Sequence, residues 1–232
     1  MNKVNKILYN SIGDFMKEID INNWNRYTTY TWFNSFRNST YGVNVKMDVT
    51  KLVKYTKEKK QSFFINLLFI VMKGLNSIDE MRMRIENDKP VIYEDINPSF
   101  TVLTKAGIFQ NVRFENTTNY QEFYDRAHKY IEEAKEIVEV KKDSYNPTNK
   151  FNEYYITCTP WLDFTSLTHP IPDEKSSQVV PRICWGKFID NDGKLELTLN
   201  ITVSHIFVDG YPLSQVFNNI QNYLDDCENI LK

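Results

Sequence analysis

The C-terminal part of the chain places a histidine and an aspartate where they could carry out acid–base chemistry. In the stretch LTLNITVSHIFVDGYPLSQVFNNI, an alternating apolar pattern runs into His205, and Asp209 and Gly210 follow shortly after it. An unperturbed imidazole has a pKa of about 6.5, so it can accept a proton near neutral pH. His205 is therefore a candidate general base, and Asp209 could cap the next helix or hold the local turn. A core histidine with a satisfied hydrogen bond is the alternative, because the pattern H-x-x-x-D-G is short.

The secondary-structure elements that must position these residues are predicted from two periodicities of the apolar residues. A period of 3.6 residues predicts helices at 49–60, 63–78, 119–142 and from about 210–212 to 231. A period of two predicts strands at 81–85, 91–93 and 99–104, and in EYYITCTPW, VVPRICWGKFI and KLELTLNITV. The mixture indicates an α+β fold, a two-layer sandwich in which helices cover a mixed, largely non-parallel β-sheet.

Two segments also predict which side chains are buried. In KLELTLNITV, the apolar residues from Leu195 to Val203 share one face, which His205 continues, and the polar residues between them point the other way. For the long helix, the predicted buried stripe comprises Phe123, Ala127, Tyr130, Ala134, Ile137 and Val138. The order of these segments predicts that the strand ending at His205 is followed directly by the last helix.

Composition and charge exclude several classes of protein. Hydrophobic residues make up 41% of the 232-residue chain and the net charge is −2, which is ordinary for a soluble domain and gives no reason to expect nucleic acid as a partner. The longest apolar run, residues 63–75, contains Asn66 and Lys73 and is too short to span a membrane. The first twenty residues lack the apolar core of a secretion signal.

The remaining composition predicts a simple organisation. Glycines and prolines are dispersed, so a single domain over residues 1–232 is expected. Three scattered cysteines predict a reducing, cytoplasmic location without disulfide bonds. Three separated histidines and no acidic cluster predict no metal site.

Four further stretches precede the histidine segment in a recognisable order. They are NNWNRYTTYTWF, KMDVTKLVKYTKEKKQSFFINLLFIVMKGLNSIDEMRMRI, VIYEDINPSFTVL and YYITCTPWLDF. With VSHIFVDGYPLSQVFNNIQNYL, they resemble the chloramphenicol acetyltransferase family (type A) and, more distantly, the core of the dihydrolipoamide acyltransferases. The similarity covers residues 21 to 224, which leaves residues 1–20 as an N-terminal extension. It implies the fold of the CoA-dependent acyltransferases.

The resemblance implies a role for each matching residue. His205 would deprotonate a substrate hydroxyl, which attacks the thioester of acetyl-CoA directly. Asp209 would pair with Arg26, and Thr157 stands where the family has the serine that hydrogen-bonds the oxyanion. Acetyl-CoA is the implied co-substrate and chloramphenicol the default acceptor. The implied assembly is a homotrimer with its active sites between subunits.

The chain also departs from the family pattern. Ser204 replaces the first of two adjacent histidines, and Thr157 adds a methyl group to the expected serine hydroxyl. In the implied acceptor pocket, Arg37 and His169 stand where apolar residues are usual, and Phe33 lacks a phenol hydroxyl. The full set of acceptor-site positions is Trp32, Phe33, Arg37, Phe109, Leu167, His169 and Cys184.

Three hypotheses about function therefore stay open. The first is an acetyltransferase acting on a hydroxyl of chloramphenicol, which would inactivate the antibiotic. The second keeps acetyl transfer but changes the acceptor to another small hydroxyl or amine compound. The third is a catalytically weakened relative that acts as a small-molecule binding protein.

Overall fold

The computed structural model describes residues 7–9, 15–139 and 151–232. The helices are Tyr27–Asn34 (α1), Thr50–Lys59 (α2), Phe63–Asn76 (α3), Tyr120–Lys135 (α4), Lys175–Gln178 (α5), Gly210–Asp225 (α6) and Cys227–Ile230 (α7). The strands are Ile7–Tyr9 (β1), Phe15–Glu18 (β2), Thr40–Asp48 (β3), Met83–Glu86 (β4), Lys89–Tyr93 (β5), Asn97–Leu103 (β6), Phe109–Arg113 (β7), Glu153–Thr159 (β8), Arg182–Gly186 (β9), Ile189–Asn191 (β10) and Lys194–Ser204 (β11). The predicted α+β class is confirmed.

A seven-stranded sheet forms the main layer. Strands β3, β11, β9, β8, β6 and β7 lie side by side in this order, and β10 pairs with the first residues of β11 on the side of β9. The pairs β6–β8 and β8–β9 are parallel and the other pairs are antiparallel. Strands β1, β2, β5 and β4 form a second, smaller sheet, to which the segment before residue 21 contributes β1 and β2. A single domain over residues 1–232 stays a prediction.

Helix α3 runs through the middle of the helical layer. Ser62 caps its N-terminus, and the Ser62 hydroxyl accepts a hydrogen bond from the N–H of Ile65 at 3.4 Å. Every residue from 65 to 75 except Lys73 is buried, as the apolar run predicts. Helices α2, α4 and α6 pack around it, so the helical layer buries one face of the main sheet.

The long helix is shorter than predicted. It ends at Lys135, and the residues from 136 to 139 are not helical, while the predicted residues 140–142 lie outside the described part. The backbone N–H groups of Lys105 and Ala106 donate to the carbonyls of Lys135 and Ile137. The turn after β6 therefore supplies the hydrogen-bond donors for the last carbonyls of the segment. The predicted stripe is wrong at Tyr130 and Val138, which are both exposed; Ile131, next to Tyr130, is buried instead.

The last helix and its preceding strand also differ from the prediction. The helix is interrupted at Asp226, which separates α6 from α7. In β11 the apolar face is buried as expected, but Thr198, Asn200 and Thr202 on the other face are buried too. The segment after β8 covers them, because Thr198 donates to the carbonyl of Phe164 at 2.6 Å. The second face of the sheet is therefore polar, and it is buried along β11.

No helix in the described residues is long and apolar enough to cross a membrane.

Close packing of α3 on α6 predicts a cost for any side chain at Gly74. A Cβ there would overlap Cγ1 of the buried Ile220, and the core offers no space for it. We expect Gly74→Ala to destabilise the protein by about 1–3 kcal/mol, because overpacking outweighs the better helix propensity of alanine. Urea unfolding measures this loss.

The matched control is Gly210→Ala, at a position with open space around a Cβ. The cost of Gly74→Ala should also shrink in an Ile220→Ala background. Equal unfolding midpoints for Gly74→Ala and Gly210→Ala would contradict the packing argument.

Candidate active site

His205 lies just after β11, where the chain leaves the main sheet. Its backbone N–H donates to the carbonyl of Ser39 at 2.9 Å, which keeps it beside the start of β3. Its ring stacks on Phe33, with centroids 4.2 Å apart and planes at 9°, and the ring of Tyr41 lies 4.5 Å away. The side chain is 33% exposed. The imidazole is thus fixed between aromatic rings and still accessible to a reactant.

Asp209 connects the histidine to an arginine. Its Oδ1 lies 3.2 Å from Nδ1 of His205 and accepts from Nη2 of Arg26 at 3.1 Å, while Oδ2 accepts from Nη1 of Arg26. The hydrogen bond from Arg26 lowers the pKa of Asp209, against the opposing effect of partial burial. Asp209 occupies the cap position of α6 but makes no cap hydrogen bond, so the capping alternative is wrong; its carboxylate is committed to Arg26 instead. The ion pair expected from the resemblance is present.

The arrangement fixes the tautomer in which His205 could act as a base. When Nδ1 carries the proton and donates it to the Asp209 carboxylate, Nε2 keeps a free lone pair. An imidazole in this state can accept a proton from a hydroxyl at Nε2. The contact to Asp209 then stabilises the imidazolium that forms.

Arg26 is held by an aromatic cluster at the start of α1. Its guanidinium carbon lies 5.8 Å from the ring centroid of Trp24. Trp24 packs against Tyr30 and Phe207, with centroids 5.9 and 6.2 Å away. Because Phe207 belongs to the turn between β11 and α6, the cluster joins the arginine to the segment that carries His205.

Thr157 belongs to a second group of residues, on the buried polar face of the main sheet. Its hydroxyl lies 3.1 Å from that of Thr101 on β6. The parallel pairing of β6 with β8 ends at Phe100 and Ile156, although both strands continue. Thr101 and Thr157 therefore stand at a fork, defined here as the point where β6 and β8 stop pairing.

His169 and Leu167 lie across this polar face from Thr157. Nε2 of His169 is 3.1 Å from Oδ1 of Asn200, whose Nδ2 reaches the carbonyl of Leu167 at 3.4 Å. Burial lowers the pKa of His169, and the hydrogen bond to Asn200 partly opposes this shift. A cavity of ≈ 330 Å³ brings together Thr157, His169 and Phe109.

Other predicted acceptor-site residues lie outside this cavity in the single chain. Arg37 is exposed and pairs with Asp173 at 2.7 Å. Trp32 is 60% exposed and packs on Phe33, beside His205. Cys184 is fully buried beneath the polar face, next to Thr157 in strand pairing. The predicted residues therefore form one group around His205 and another around Thr157, and the Arg37 side chain points to solvent beside Asp173.

The two groups cannot contact the same reacting atoms within a single chain. Strand pairing aligns Thr157 with Cys184 and Cys184 with Asn200, five residues before His205. Thr157 and His205 are thus separated by two inter-strand spacings across the sheet and by five residues along the strand direction. This separation corresponds to roughly 15–20 Å. A hydrogen bond needs about 3 Å.

The sequence analysis did not identify several residues near the site. Tyr41 contacts the His205 ring, and nothing in its local pattern marks it. Thr101 faces Thr157 because of strand pairing that a single sequence does not show. Arg182 could have been found, because it lies two residues before Cys184 on β9 and so on the same face.

Solved structures place this fold among the acyltransferases. A chain titled chloramphenicol acetyltransferase matches with a TM-score of 0.80 and 26% identity, covering 90% of this chain and 99% of that one. A dihydrolipoamide acetyltransferase from Azotobacter vinelandii matches with a TM-score of 0.63 and 16% identity over 88% of both chains. The fold is thus that of a CoA-dependent acyltransferase, as predicted.

Sequence comparisons narrow this class to one family. The family model described as Chloramphenicol acetyltransferase matches residues 14–221. Relatives named chloramphenicol acetyltransferase include one from Bacillus pumilus, 27% identical over 91% of this chain and 94% of its own length, and one from Clostridium perfringens, 26% identical over 90% and 95%. The chain belongs to the chloramphenicol acetyltransferase family, which confirms the resemblance.

Within the described ranges, no group of three or more histidine, cysteine or acidic side chains could hold a metal ion.

Loss of the Arg26 partner should destabilise the protein in a pH-dependent way. Arg26→Met leaves the Asp209 carboxylate without its cation, and we expect a loss of about 1–2 kcal/mol, since the carboxylate is partly exposed. The folded-state pKa of Asp209 lies below its ordinary 3.8, so the pair contributes fully above that value and progressively less as the pH falls through the folded-state pKa. Urea unfolding of wild type and variant between pH 3 and pH 7 measures the difference.

The matched control is Arg126→Met, which removes an exposed pair with Glu122 on α4. This change should cost less than about 0.5 kcal/mol at any pH. A difference between wild type and Arg26→Met that does not shrink in acid would contradict the proposed pairing energy.

Proposed function

We propose that this protein transfers the acetyl group of acetyl-CoA to a hydroxyl of chloramphenicol, with His205 as the general base, and so inactivates the antibiotic. The observation that carries the proposal is the contact of Nδ1 of His205 with Asp209, itself paired with Arg26. Family membership supports the reaction, and the names of the relatives support the acceptor.

The chemical step begins with the acceptor hydroxyl. Nε2 of His205 takes the hydroxyl proton as the oxygen attacks the thioester carbonyl, and a tetrahedral oxyanion forms. The carbon–sulfur bond then breaks, and the imidazolium returns the proton to the departing CoA thiolate. The products are the acetyl ester and free CoA. Asp209 aims the ring and stabilises its charged form throughout.

Thr157 is proposed to stabilise the oxyanion. Its hydroxyl is a donor, and its neighbour Thr101 can accept or donate in turn, so the Thr157 proton is free to turn toward a developing negative charge. A single donor of this kind contributes about 10²–10³-fold to the rate of acyl transfer. The additional methyl group restricts the rotamers of Thr157 rather than removing the donor.

A second cavity supports the assignment of acetyl-CoA. It has a volume of ≈ 370 Å³, opens on the helical side of the main sheet and also reaches Thr101 at the fork. Its walls include Phe63 and Trp185, which suit an apolar chain, and Lys135 and Lys187, which suit phosphate groups. Acetyl-CoA bound there would bring its thioester to the fork from the side opposite the acceptor.

The proposed assembly is a homotrimer in which one subunit supplies His205 and its neighbour supplies Thr157 and the acceptor cavity. The separation of the two groups within one chain supports this arrangement. Exposed aromatic side chains beside both groups, Trp32 and Trp161, also suit a surface that another subunit covers. A cytoplasmic location fits the three free cysteines.

Replacement of the proposed base should nearly abolish turnover. His205→Ala is expected to lower kcat for chloramphenicol acetylation by about 10²–10⁴-fold, because it removes the imidazole that Asp209 orients for proton transfer. Release of free CoA, followed with a thiol reagent, measures the rate. His128→Ala is the matched control, since His128 is exposed on α4. Unchanged CoA release by His205→Ala would rule out the proposed base.

Sharing of sites between subunits predicts complementation of two inactive variants. Thr157→Ala and His205→Ala homotrimers should both be severely impaired. Hybrids from co-expression, purified through two different tags, should regain activity, because one interface then combines an intact His205 with an intact Thr157. Hybrids as inactive as their parents would show that both residues act within one chain.

A further inference from the structure

A buried guanidinium lies on the polar face of the main sheet, next to the proposed acceptor site. Arg182 is only 6% exposed. It lines the ≈ 330 Å³ cavity that contains Thr157 and an adjoining cavity of ≈ 630 Å³. The two cavities also share Phe109, Asn111 and Tyr155. The arginine therefore belongs to the wall that a bound acceptor would contact.

Neutral groups hold this guanidinium in place. Nη1 donates to the carbonyls of Ser177 and Val180 at 3.1 and 3.0 Å, and Nη2 donates to the hydroxyl of Ser177 at 3.2 Å. The guanidinium carbon lies 5.5 Å from the ring centroid of Tyr155. These bonds use three of the five N–H groups of an arginine. They orient the cation without neutralising it.

Among the described residues, the lining of both cavities contains no aspartate or glutamate. The other arginine there, Arg113, forms an ion pair with Glu153 at 3.2 Å. Burial lowers the pKa of His169, and the charge of Arg182 lowers it further, so this imidazole is neutral near pH 7. Burial also lowers the pKa of Arg182, but a guanidinium stays protonated at that pH. The cavity wall thus carries a positive charge.

The distance from Arg182 to Thr157 suits a small bifunctional acceptor. Arg182 pairs with Tyr155 across β9 and β8, which makes Thr157 its diagonal neighbour on the same face. One strand spacing and a two-residue rise put the backbone positions of such neighbours about 8 Å apart. A hydroxyl near Thr157 and an anionic group at Arg182 can belong to one molecule the size of a substituted benzene ring.

We propose that Arg182 is a specificity-determining residue, and that the acceptor site favours small hydroxyl compounds carrying a carboxylate over neutral or cationic ones. The inference rests on the proposed function, because the same cavity is assigned there to the acceptor. A carboxylate at Arg182 gains charge-assisted hydrogen bonds in a buried setting. An amine acceptor is disfavoured by the like charge.

The test compares two hydroxyl compounds that differ only in charge, 4-(hydroxymethyl)benzoate and 4-(hydroxymethyl)benzamide. Calorimetry with the full-length protein should give a dissociation constant at least about tenfold lower for the benzoate. Added salt should reduce the preference, and chloramphenicol should compete with the benzoate. Arg182→Met should remove the preference, Arg182→Lys should retain part of it, and the control Arg126→Met, on α4 and outside the lining of both cavities, should leave it unchanged.

The outcomes separate this inference from the proposed function, because binding is measured without acetyl transfer. Equal affinity of the wild-type protein for benzoate and benzamide would overturn the inference even if Arg182→Met fails to fold. A preference that persists in folded Arg182→Met would overturn it as well. Failure to acetylate chloramphenicol, with the benzoate preference intact, would count against the proposed function alone.

Discussion

The contact between the Asp209 carboxylate and both His205 and Arg26 is the interaction on which the rest of the site depends. It directs Nδ1 of the histidine toward the protein and leaves Nε2 for the proposed proton transfer. It also ties the turn after β11 to the segment before α1, two parts of the chain that are 183 residues apart. The proposed base lies at a strand end, and the turn that carries it is held in place by a charged pair and an aromatic cluster.

The main sheet makes a different contribution on each side. Its helical side is an apolar core around α3, which stabilises the fold. Its other side is buried but polar, with threonines, asparagines, a histidine and an arginine in hydrogen-bonded rows. Buried polar groups are costly unless they have partners, and these partners lie in the segment that covers the sheet after β8.

The sequence predicted the fold class and most elements because the two hydrophobic periods are clear. It missed the end of α4 because that end is set by backbone hydrogen bonds from the turn after β6, which no local pattern reveals. It missed the burial of Asn200 because polar residues on alternate positions of a strand normally face water. The roles assigned to His205, Asp209 and Arg26 came from the family resemblance, and the ion pair it implied is present.

Site residues whose position depends on contacts between strands could not be predicted from the sequence. Thr101 meets Thr157 only because β6 and β8 are parallel neighbours in a particular register. Tyr41 reaches the His205 ring because β3 pairs with β11 along most of its length. Arg182 could have been predicted, since it alternates with Cys184 on one strand, but the sequence analysis did not identify it.

The fork between β6 and β8 has a consequence for the order of events during turnover. Cavities on opposite faces of the sheet both reach Thr101, so two reactants entering from opposite sides can be present together. Neither has to leave before the other arrives, and no acylated side chain has to store the group in between. With the proposed reactants in these two cavities, turnover proceeds through a ternary complex.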